Sequence, residues 1–453
     1  MGEAVIPFEL SIGKWDTSQN EAPEVNATTA DIKIVIGNKV VTRNQNRWSK
    51  STHDDVRLSA YPLALWFASS WWRLRWESIP TIGPKFSPNV SWKMAHEMLG
   101  AGHGYLWPRI LFVSDSESIH VWAVSNPDSD VPIRYVENAH CIIPIDLFES
   151  EVKKFIQAVI ARLDAVKITG THLHDLWSEV KAEINDPALS TFRKHESLLG
   201  FEPDEAPEKI SLQIQELSEK IGEGVISEIA PVCSGTKEIE VTLNALISFA
   251  NAEGIRGKID YTLNVNGFEN STPPWERGWS LARTFRKHVG LNEEPISSKS
   301  LSDFIGMSEE SAFAPQTGKH LIGVATRNGD PNKLMFHFRT KELRSSRRFE
   351  IARYVCDYLI SDKSEKWLPI TDTKTVRQKI QRSFAVELLC PLESLVEYLG
   401  EDFTEDDIEE AGKYFEVSTR AIKSHLVNNK YLPRDVLSDF DYDFSFPYSK
   451  VIA

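Results

Sequence analysis

Residues 347–359 decide the fold expected of this chain, and they read Arg347-Arg348-Phe349-Glu350-Ile351-Ala352-Arg353-Tyr354-Val355-Cys356-Asp357-Tyr358-Leu359. A second stretch follows further along the chain and reads Phe384-Ala385-Val386-Glu387-Leu388-Leu389-Cys390-Pro391. Arg353 and Asp357 are four positions apart, so on a helix their side chains are neighbours and can form an ion pair. The alternative is that both point to solvent as ordinary surface charges.

The first stretch resembles the central helix of the ImmA/IrrE family of metallopeptidase-like proteins, which usually reads Arg-Arg-Phe-x-x-Ala-His-Glu-x-x-His-x-Leu. The second resembles the next helix of that family, Phe-Ala-x-x-Leu-Leu-x-Pro. In His-Glu-x-x-His, two imidazoles one turn apart share a Zn²⁺ and the glutamate activates the metal-bound water. The resemblance therefore implies a zincin-like fold, whose chemical residues can be compared with this chain position by position.

The comparison identifies a degenerate former site, which consists of Arg353, Tyr354, Asp357 and Gln378. Arg353 stands at the first ligand position and has no lone pair for a metal. Tyr354 replaces the general base, and a phenol with a pKa near ~10 is a poor base at neutral pH. Asp357 stands at the second ligand position and Gln378, a weakly binding amide, at the third. We expect no metal, no cofactor and no catalytic residue here, and an Arg353–Asp357 pair, assisted by Gln378, in the volume of the lost metal.

The resemblance extends over roughly residues 272–440. Residues 274–291 resemble the family's first helix, and residues 321–325 and 334–338 predict a hairpin around Asn328-Gly329-Asp330. Residues 411–426 resemble a closing helical pair, whose turn at Val417-Ser418 is similar to that of a helix-turn-helix. Residues 193–204 resemble a linker element found upstream of this domain in the family.

Other segments that contain histidine are weaker candidates for a metal site. His96-Glu97 and His195-Glu196 both lack a second histidine at the required spacing. His96 and His103 are two helical turns apart, about 10 Å, which is too far for one ion, and the intervening glycines end the helix. His172 and His174 have a spacing that suits a strand, whereas their surroundings predict a helix. We expect a structural role for the string from His96 to His103 and no ligation by His172 and His174. If the chain holds zinc, the fallback ligands are His96, His103, His172, His174 and Asp357.

Composition sets the class. The chain has 453 residues, 41% hydrophobic residues and a net charge of −14, which suits a globular protein of two to four domains and disfavours non-specific nucleic-acid binding. No stretch approaches the length of a membrane span and no secretion signal is recognised. The four cysteines have neither metal nor disulfide spacing, so we expect reduced thiols in the cytoplasm.

The expected architecture is α+β and multidomain. Residues 1–145 form a tryptophan-rich α+β domain, with strands at 32–36 and 119–124, a helix from Leu63 to Trp76, and nine tryptophans that are expected mainly in its core: Trp15, Trp48, Trp66, Trp71, Trp72, Trp76, Trp92, Trp107 and Trp122. Residues 146–265 form a helical region, with helices at 151–163 and 210–221. Residues 272–400 form the degenerate zincin-like domain, 401–440 the closing helices, and 441–453 a tail.

Two charged clusters flank the former site. Arg339, Lys341, Arg344, Arg347 and Arg348 are expected to form a solvated face, with an anion or nucleic-acid contact as the alternative. Residues 401–410 are acidic and are expected to cap a helix, because negative charge complements the positive end of a helix dipole.

Two function classes compete, with a third behind them. The first is a pseudopeptidase, a sensor or regulatory protein that binds a polypeptide without cutting it. The resemblance implies a bacterial stress, mobile-element or antiphage defence system for it. The second is a DNA-associated transcriptional regulator that uses the closing helices, which the acidic net charge disfavours. The third is a hydrolase with an unrecognised site in the N-terminal half.

Overall fold

The structure is a computed structural model that describes residues 8–18, 21–79, 88–126, 130–234, 236, 238–263, 272–291, 293–316, 318, 320–327, 329–330, 332–339, 343–400 and 403–433. The described residues divide into two compact units, one reaching to residue 207 and the other beginning at residue 208. Each contains helices and antiparallel sheets, so the chain is an α+β multidomain protein.

The described residues of the first unit form three small antiparallel sheets. One has the order β1-β2-β3 with β6 also paired to β2, a second has the order β5-β4-β9, and a third has the order β10-β8-β7. The strands are β1 Phe8–Asp16, β2 Thr29–Ile36, β3 Lys39–Val40, β4 Asn44–Asn46, β5 Ser51–His53, β6 Val56–Ser59, β7 Arg109–Ser114, β8 Ser118–Val124, β9 Ile133–Tyr135 and β10 Ala139–Pro144. The predicted strands at 32–36 and 119–124 are confirmed as parts of β2 and β8. Alternate residues of β8 are buried, as expected of a strand with one face on the core.

The described residues of this unit also form seven helices: α1 Pro23–Ala27, α2 Ala60–Ser69, α3 Trp71–Trp76, α4 Val90–His96, α5 Ile145–Ala165, α6 His172–Asn185 and α7 Pro187–Leu198. A short 3₁₀ helix at Met98–Ala101 follows α4. The predicted helix at 151–163 lies within α5, and α4 ends at His96 before the glycines, as predicted. The single helix predicted from Leu63 to Trp76 is wrong. It is divided at Ser70, and α2 is buried on nearly all sides, so its polar face is too small to give the expected amphipathic pattern.

Most of the nine tryptophans lie in the core of this unit, as predicted. Trp66, Trp71, Trp72, Trp92 and Trp107 are buried, and Trp15, Trp76 and Trp122 are half-buried. Large aromatic rings dominate core energetics because each removes a large apolar area from water. The exception is Trp48, which is 82% exposed in the β4–β5 turn.

The second unit is built on one four-stranded antiparallel sheet of order β11-β13-β12-β14. Its strands are β11 Ile255–Lys258, β12 Gly323–Arg327, β13 Lys333–His337 and β14 Trp367–Ile370. Its helices are α8 Glu208–Ile221, α9 Glu223–Ser234, α10 Ile239–Asn251, α11 Pro274–His288, α12 Ser298–Phe304, α13 Glu309–Ala312, α14 Arg344–Ile360, α15 Val376–Leu389, α16 Leu392–Leu399, α17 Glu405–Phe415 and α18 Thr419–Asn428. The predicted helices at 210–221 and 274–291 and the hairpin are observed as α8, α11 and β12–β13. The hairpin's Asn328 lies outside the described residues.

The predicted helical region 146–265 is divided between the units. Helices α5, α6 and α7 belong to the first unit, whereas α8, α9 and α10 belong to the second together with the sheet and α14. The predicted tail at 441–453 lies outside the described residues. Within the described residues no helix is long and apolar enough to cross a membrane.

Candidate functional site

Helices α14 and α15 carry the four positions of the former site. Helix α14 begins after Leu343, whose backbone is extended, and it is buried almost continuously from Glu350 to Tyr358. Helix α15 begins at the N-cap Thr375, whose side chain accepts a hydrogen bond from the backbone N–H of Gln378. The two helices pack together, so charged side chains of α14 face polar side chains of α15 in a region that is closed to water.

Arg353 is 1% exposed. Its Nη2 donates to the carbonyl oxygen of Thr371 at 2.6 Å and also contacts Oε1 of Gln378, while its Nε donates to Oε1 of Gln381 at 3.3 Å. Burial lowers the pKa of Arg353 to about 9, and repulsion from nearby arginines adds to this shift. Among the described residues no carboxylate lies within 4.0 Å of its guanidinium.

Asp357 is fully buried and is paired with Arg377. Nε and Nη2 of Arg377 donate to the two carboxylate oxygens at 2.6 and 2.8 Å, and Nε2 of Gln381 donates to Oδ1 at 2.7 Å. The expected Arg353–Asp357 ion pair is therefore wrong, and so is the alternative that both are surface charges. A planar fork from the facing helix satisfies both carboxylate oxygens, which a neighbour on the same helix does less well. Gln378 was expected to assist that ion pair, and in the structure it contacts Arg353 alone of the two residues.

Further carboxylates join this network. Nη1 of Arg377 lies 2.8 Å from the Glu365 carboxylate, and Thr375 Oγ1 donates to the carboxylate of Glu228, on α9, at 2.7 Å. Burial raises the pKa of Glu228, and the charge of Arg377 opposes that shift only in part. Burial likewise raises the pKa of Glu365.

Sequence reasoning missed Arg377, Gln381, Glu228 and Glu365. Gln381 is three residues after Gln378 and four after Arg377, so helical spacing places it beside both of them, which was an available signal. Glu228 comes from a region that the motif comparison did not cover. No spacing rule brings it to the same place.

Tyr354 faces away from these polar groups. Its hydroxyl donates to the carbonyl oxygen of His337 at 3.0 Å, and its ring meets those of Phe336 and Phe338 edge-on, with centroids 5.2 and 5.6 Å away. Burial raises the pKa of Tyr354 well above its usual range. Tyr354 is thus a neutral core residue in this fold and cannot act as a base at neutral pH. A Cβ at Gly323 would overlap its hydroxyl, which explains why β12 begins with glycine.

The residues at the former ligand positions do not fit a zinc ion. Arg353 offers only donors, and the Asp357 oxygens are occupied by Arg377 and Gln381. Oε1 of Gln378 accepts from Arg353 and, at 3.0 Å, from the backbone N–H of Thr371. Zinc requires deprotonated nitrogen, sulfur or oxygen ligands in tetrahedral array. Nowhere in the described part of the chain do three His, Cys, Asp or Glu side chains form a group that could hold a metal.

The histidine strings have structural contacts. His96 is fully buried, with Nδ1 2.9 Å from the carbonyl oxygen of Phe112 and Nε2 3.0 Å from the Glu77 carboxylate. His174 closes a capping box with Thr171 at the start of α6. His103 and His172 are exposed. Glu196 accepts from Arg193 at 2.7 Å. His96 therefore has the contacts of a buried structural residue, and His174 those of a helix-capping residue.

The basic cluster was expected to form a solvated face, but among its described residues only Arg344 is exposed. Arg339, Arg347 and Arg348 are 6%, 5% and 1% exposed. Their guanidiniums bond acidic side chains, hydroxyls and backbone carbonyls, for example Nη2 of Arg348 and the carbonyl oxygen of Ile296 at 2.6 Å. Composition alone predicted exposure because isolated arginines are rarely buried, but their long stems pack well when the head groups find acceptors. Lys341 lies outside the described residues.

The closing helices α17 and α18 are joined by a short turn at Glu416, as the helix-turn-helix resemblance suggested. Thr404 caps α17 and three acidic residues occupy its first turn, as predicted for the acidic segment. Lys423 on α18 is paired with Glu405 on α17 at 2.6 Å. An ion-paired lysine beside an acidic helix offers little attraction for phosphates.

Comparison with known proteins adds no relative. No protein-family model, curated protein or solved structure matches the chain.

Proposed function

We propose that this chain is a catalytically inactive, ImmA/IrrE-like pseudopeptidase that binds a protein partner or peptide without cleaving it. In this proposal it is a cytoplasmic sensor or regulatory component of a bacterial stress, mobile-element or antiphage defence system. It requires no metal and no cofactor.

The observation that carries the proposal is the contact between Arg353 and Gln378. These residues stand at the first and third ligand positions of the motif, 25 residues apart in sequence, and their side chains touch inside the protein. A chance likeness of two short strings would not be expected to bring these two positions together. The order of elements supports the proposal as well, since α11, the β12–β13 hairpin, α14 and α15 follow each other as the resemblance implies.

The chemistry supports inactivity. A hydrolase of this type needs a Lewis acid and a base beside the scissile bond. Here a guanidinium stands at the first ligand position, the second ligand position is neutralised by Arg377, and the base position is a core tyrosine. A fold that keeps its packed core but lacks the Lewis acid and the base is suited to binding a polypeptide without cutting it.

The proposal is tested by isolating the partner from the source cells and recombining it with the chain as two purified proteins. We expect a stoichiometric complex and an unchanged intact mass of the partner after prolonged incubation with added zinc. New termini in the partner would contradict the proposal. A steep fall of affinity for DNA with rising salt, with no protein partner bound, would favour the transcriptional regulator instead.

A further inference from the structure

Three arginines converge on residues 371–373, directly after β14. Arg353 on α14 donates to the carbonyl oxygen of Thr371 at 2.6 Å, and Arg382 on α15 donates to the carbonyl oxygen of Thr373. Arg339, two residues after β13, donates through Nη1 to Oδ2 of Asp372 at 2.9 Å. Three guanidiniums from separate parts of the chain thus contact one short segment. We call these three residues the arginine cluster (Arg339, Arg353 and Arg382).

The arginine cluster has more positive charge than its neighbours neutralise. Asp372 is bonded to Arg339 alone, and Glu350 is 3.8 Å from the same arginine. Arg353 has no ion pair, and its Nη1 donates no hydrogen bond within the described residues. Buried charges are normally paired, because an unpaired one loses its hydration without compensation. A buried guanidinium with an unused donor is therefore a reason to look for an anion.

The electrostatics of the individual groups agree with this surplus. Burial, together with repulsion from Arg339, lowers the pKa of Arg382 to about 10, although Asp372 opposes that shift. Burial alone would raise the pKa of Asp372, but Arg339, Arg353 and Arg382 together hold that pKa below its usual range. The cluster therefore favours an ionised carboxylate at the position where Asp372 now lies.

Among Asp372 and the arginines of the cluster, Asp372 is the exposed side chain. Its side chain is 65% exposed, whereas that of Arg339 is 8% exposed and Arg353 is almost fully buried. Moving this one side chain outward would open Arg339, and with it the cluster, to an incoming group. Guanidinium forks match the planar geometry of a carboxylate and bind it with two parallel hydrogen bonds.

We propose that the arginine cluster is a binding site for a carboxylate of an acidic polypeptide segment, and that Asp372 is an internal occupant which the incoming carboxylate displaces. The site selects a carboxylate over a phosphate because Asp372, the group that already occupies it, is a carboxylate. This inference rests on the proposed function, since it names the chemistry by which the former site would recognise its polypeptide.

The test uses a fluorescently labelled, N-acetylated hexaglutamate peptide, with anisotropy measured on the full chain at constant ionic strength. An internal competitor lowers apparent affinity by the fraction of time for which the site is open. Asp372→Asn keeps the shape of the side chain and removes its charge, so we expect the probe to bind roughly tenfold more tightly. Arg382→Gln is expected to weaken binding at least roughly tenfold by removing a charged fork.

The matched control is Asp362→Asn, which removes the same charge from an exposed position away from the cluster and should leave the affinity unchanged. Equal affinities for Asp372→Asn and Asp362→Asn, or no binding by wild type and Asp372→Asn, would overturn the proposal. So would inorganic phosphate that displaces the probe at concentrations where acetate does not. Thermal unfolding by circular dichroism verifies that each variant is folded.

The two proposals fail separately. If the natural partner binds the Arg382→Gln variant as well as wild type and stays intact, the arginine cluster is not its site and the pseudopeptidase proposal stands. If the partner is cut, the pseudopeptidase proposal fails, while the affinity of the hexaglutamate probe still reports on the cluster.

Discussion

Replacing Arg377 by methionine is expected to lower the free energy of unfolding by about 3–5 kcal/mol, the loss typical of breaking a buried ion pair from one side. Asp357 is 0% exposed and has no other cation within ion-pair distance among the described residues. The variant leaves this carboxylate buried with only Gln381 to donate to it, and it removes a partner of Glu365 as well. Urea denaturation followed by circular dichroism measures the change.

Two controls separate the buried pair from a general loss of charge. Lys413→Met breaks the exposed pair between Lys413 and Glu409, whose side chains are 71% and 61% exposed, and should leave the free energy of unfolding almost unchanged. Asp357→Asn, added to Arg377→Met, removes the stranded charge and should restore roughly half of the loss or more. A loss for Arg377→Met no larger than that for Lys413→Met would show that the Asp357–Arg377 pair is not formed as described.

Replacing Arg73 by methionine is expected to destabilise the first unit by a similar amount, about 3–5 kcal/mol. Arg73 is 1% exposed, donates through Nε to Glu77 at 2.6 Å and through Nη1 to Ser91 Oγ at 2.9 Å, and also pairs with Glu202. Without it, the contact with Nε2 of His96 at 3.0 Å is what remains to the Glu77 carboxylate among the described side chains. The free energy of unfolding is measured as for Arg377.

The comparison for Arg73 is Arg57→Met, because the Arg57 side chain is 53% exposed and pairs with acidic groups at the surface. We expect a loss of no more than about 1 kcal/mol there. If the two variants lose equally little, the buried network around His96 does not hold the unit together, and a structural role for the His96-Glu97 string would lose its main support.

Elements with strong local patterns could be predicted from the sequence. Helices α5 and α8 have apolar residues at helical spacing, and Gly222 marks the end of α8. The β12–β13 hairpin has short apolar runs on either side of turn residues. These signals are local, so no knowledge of tertiary packing was required. The break at Ser70 was not predicted because the tryptophans on both sides are apolar, so the sequence does not mark the end of α2 and the start of α3.

The candidate site could be predicted only where the motif comparison reached. It placed Arg353 near Gln378, and the structure agrees. It gave the wrong partner to Asp357, because helical spacing allows a contact within α14 but says nothing about a competing fork on α15. The burial of Arg347 and Arg348, near the start of α14, was missed for a similar reason, since their acceptors include backbone carbonyls that no sequence pattern marks.

The most direct test of the central claim is the zinc content of the chain, purified without chelators and without a histidine tag, by elemental analysis. We expect less than about a tenth of an equivalent of zinc per chain. The guanidinium of Arg353, the ion-paired carboxylate of Asp357 and the hydrogen-bonded amide of Gln378 cannot form a tetrahedral ligand set. Zinc close to one equivalent per chain would contradict it and would show that the chain holds a metal site that these residues do not explain.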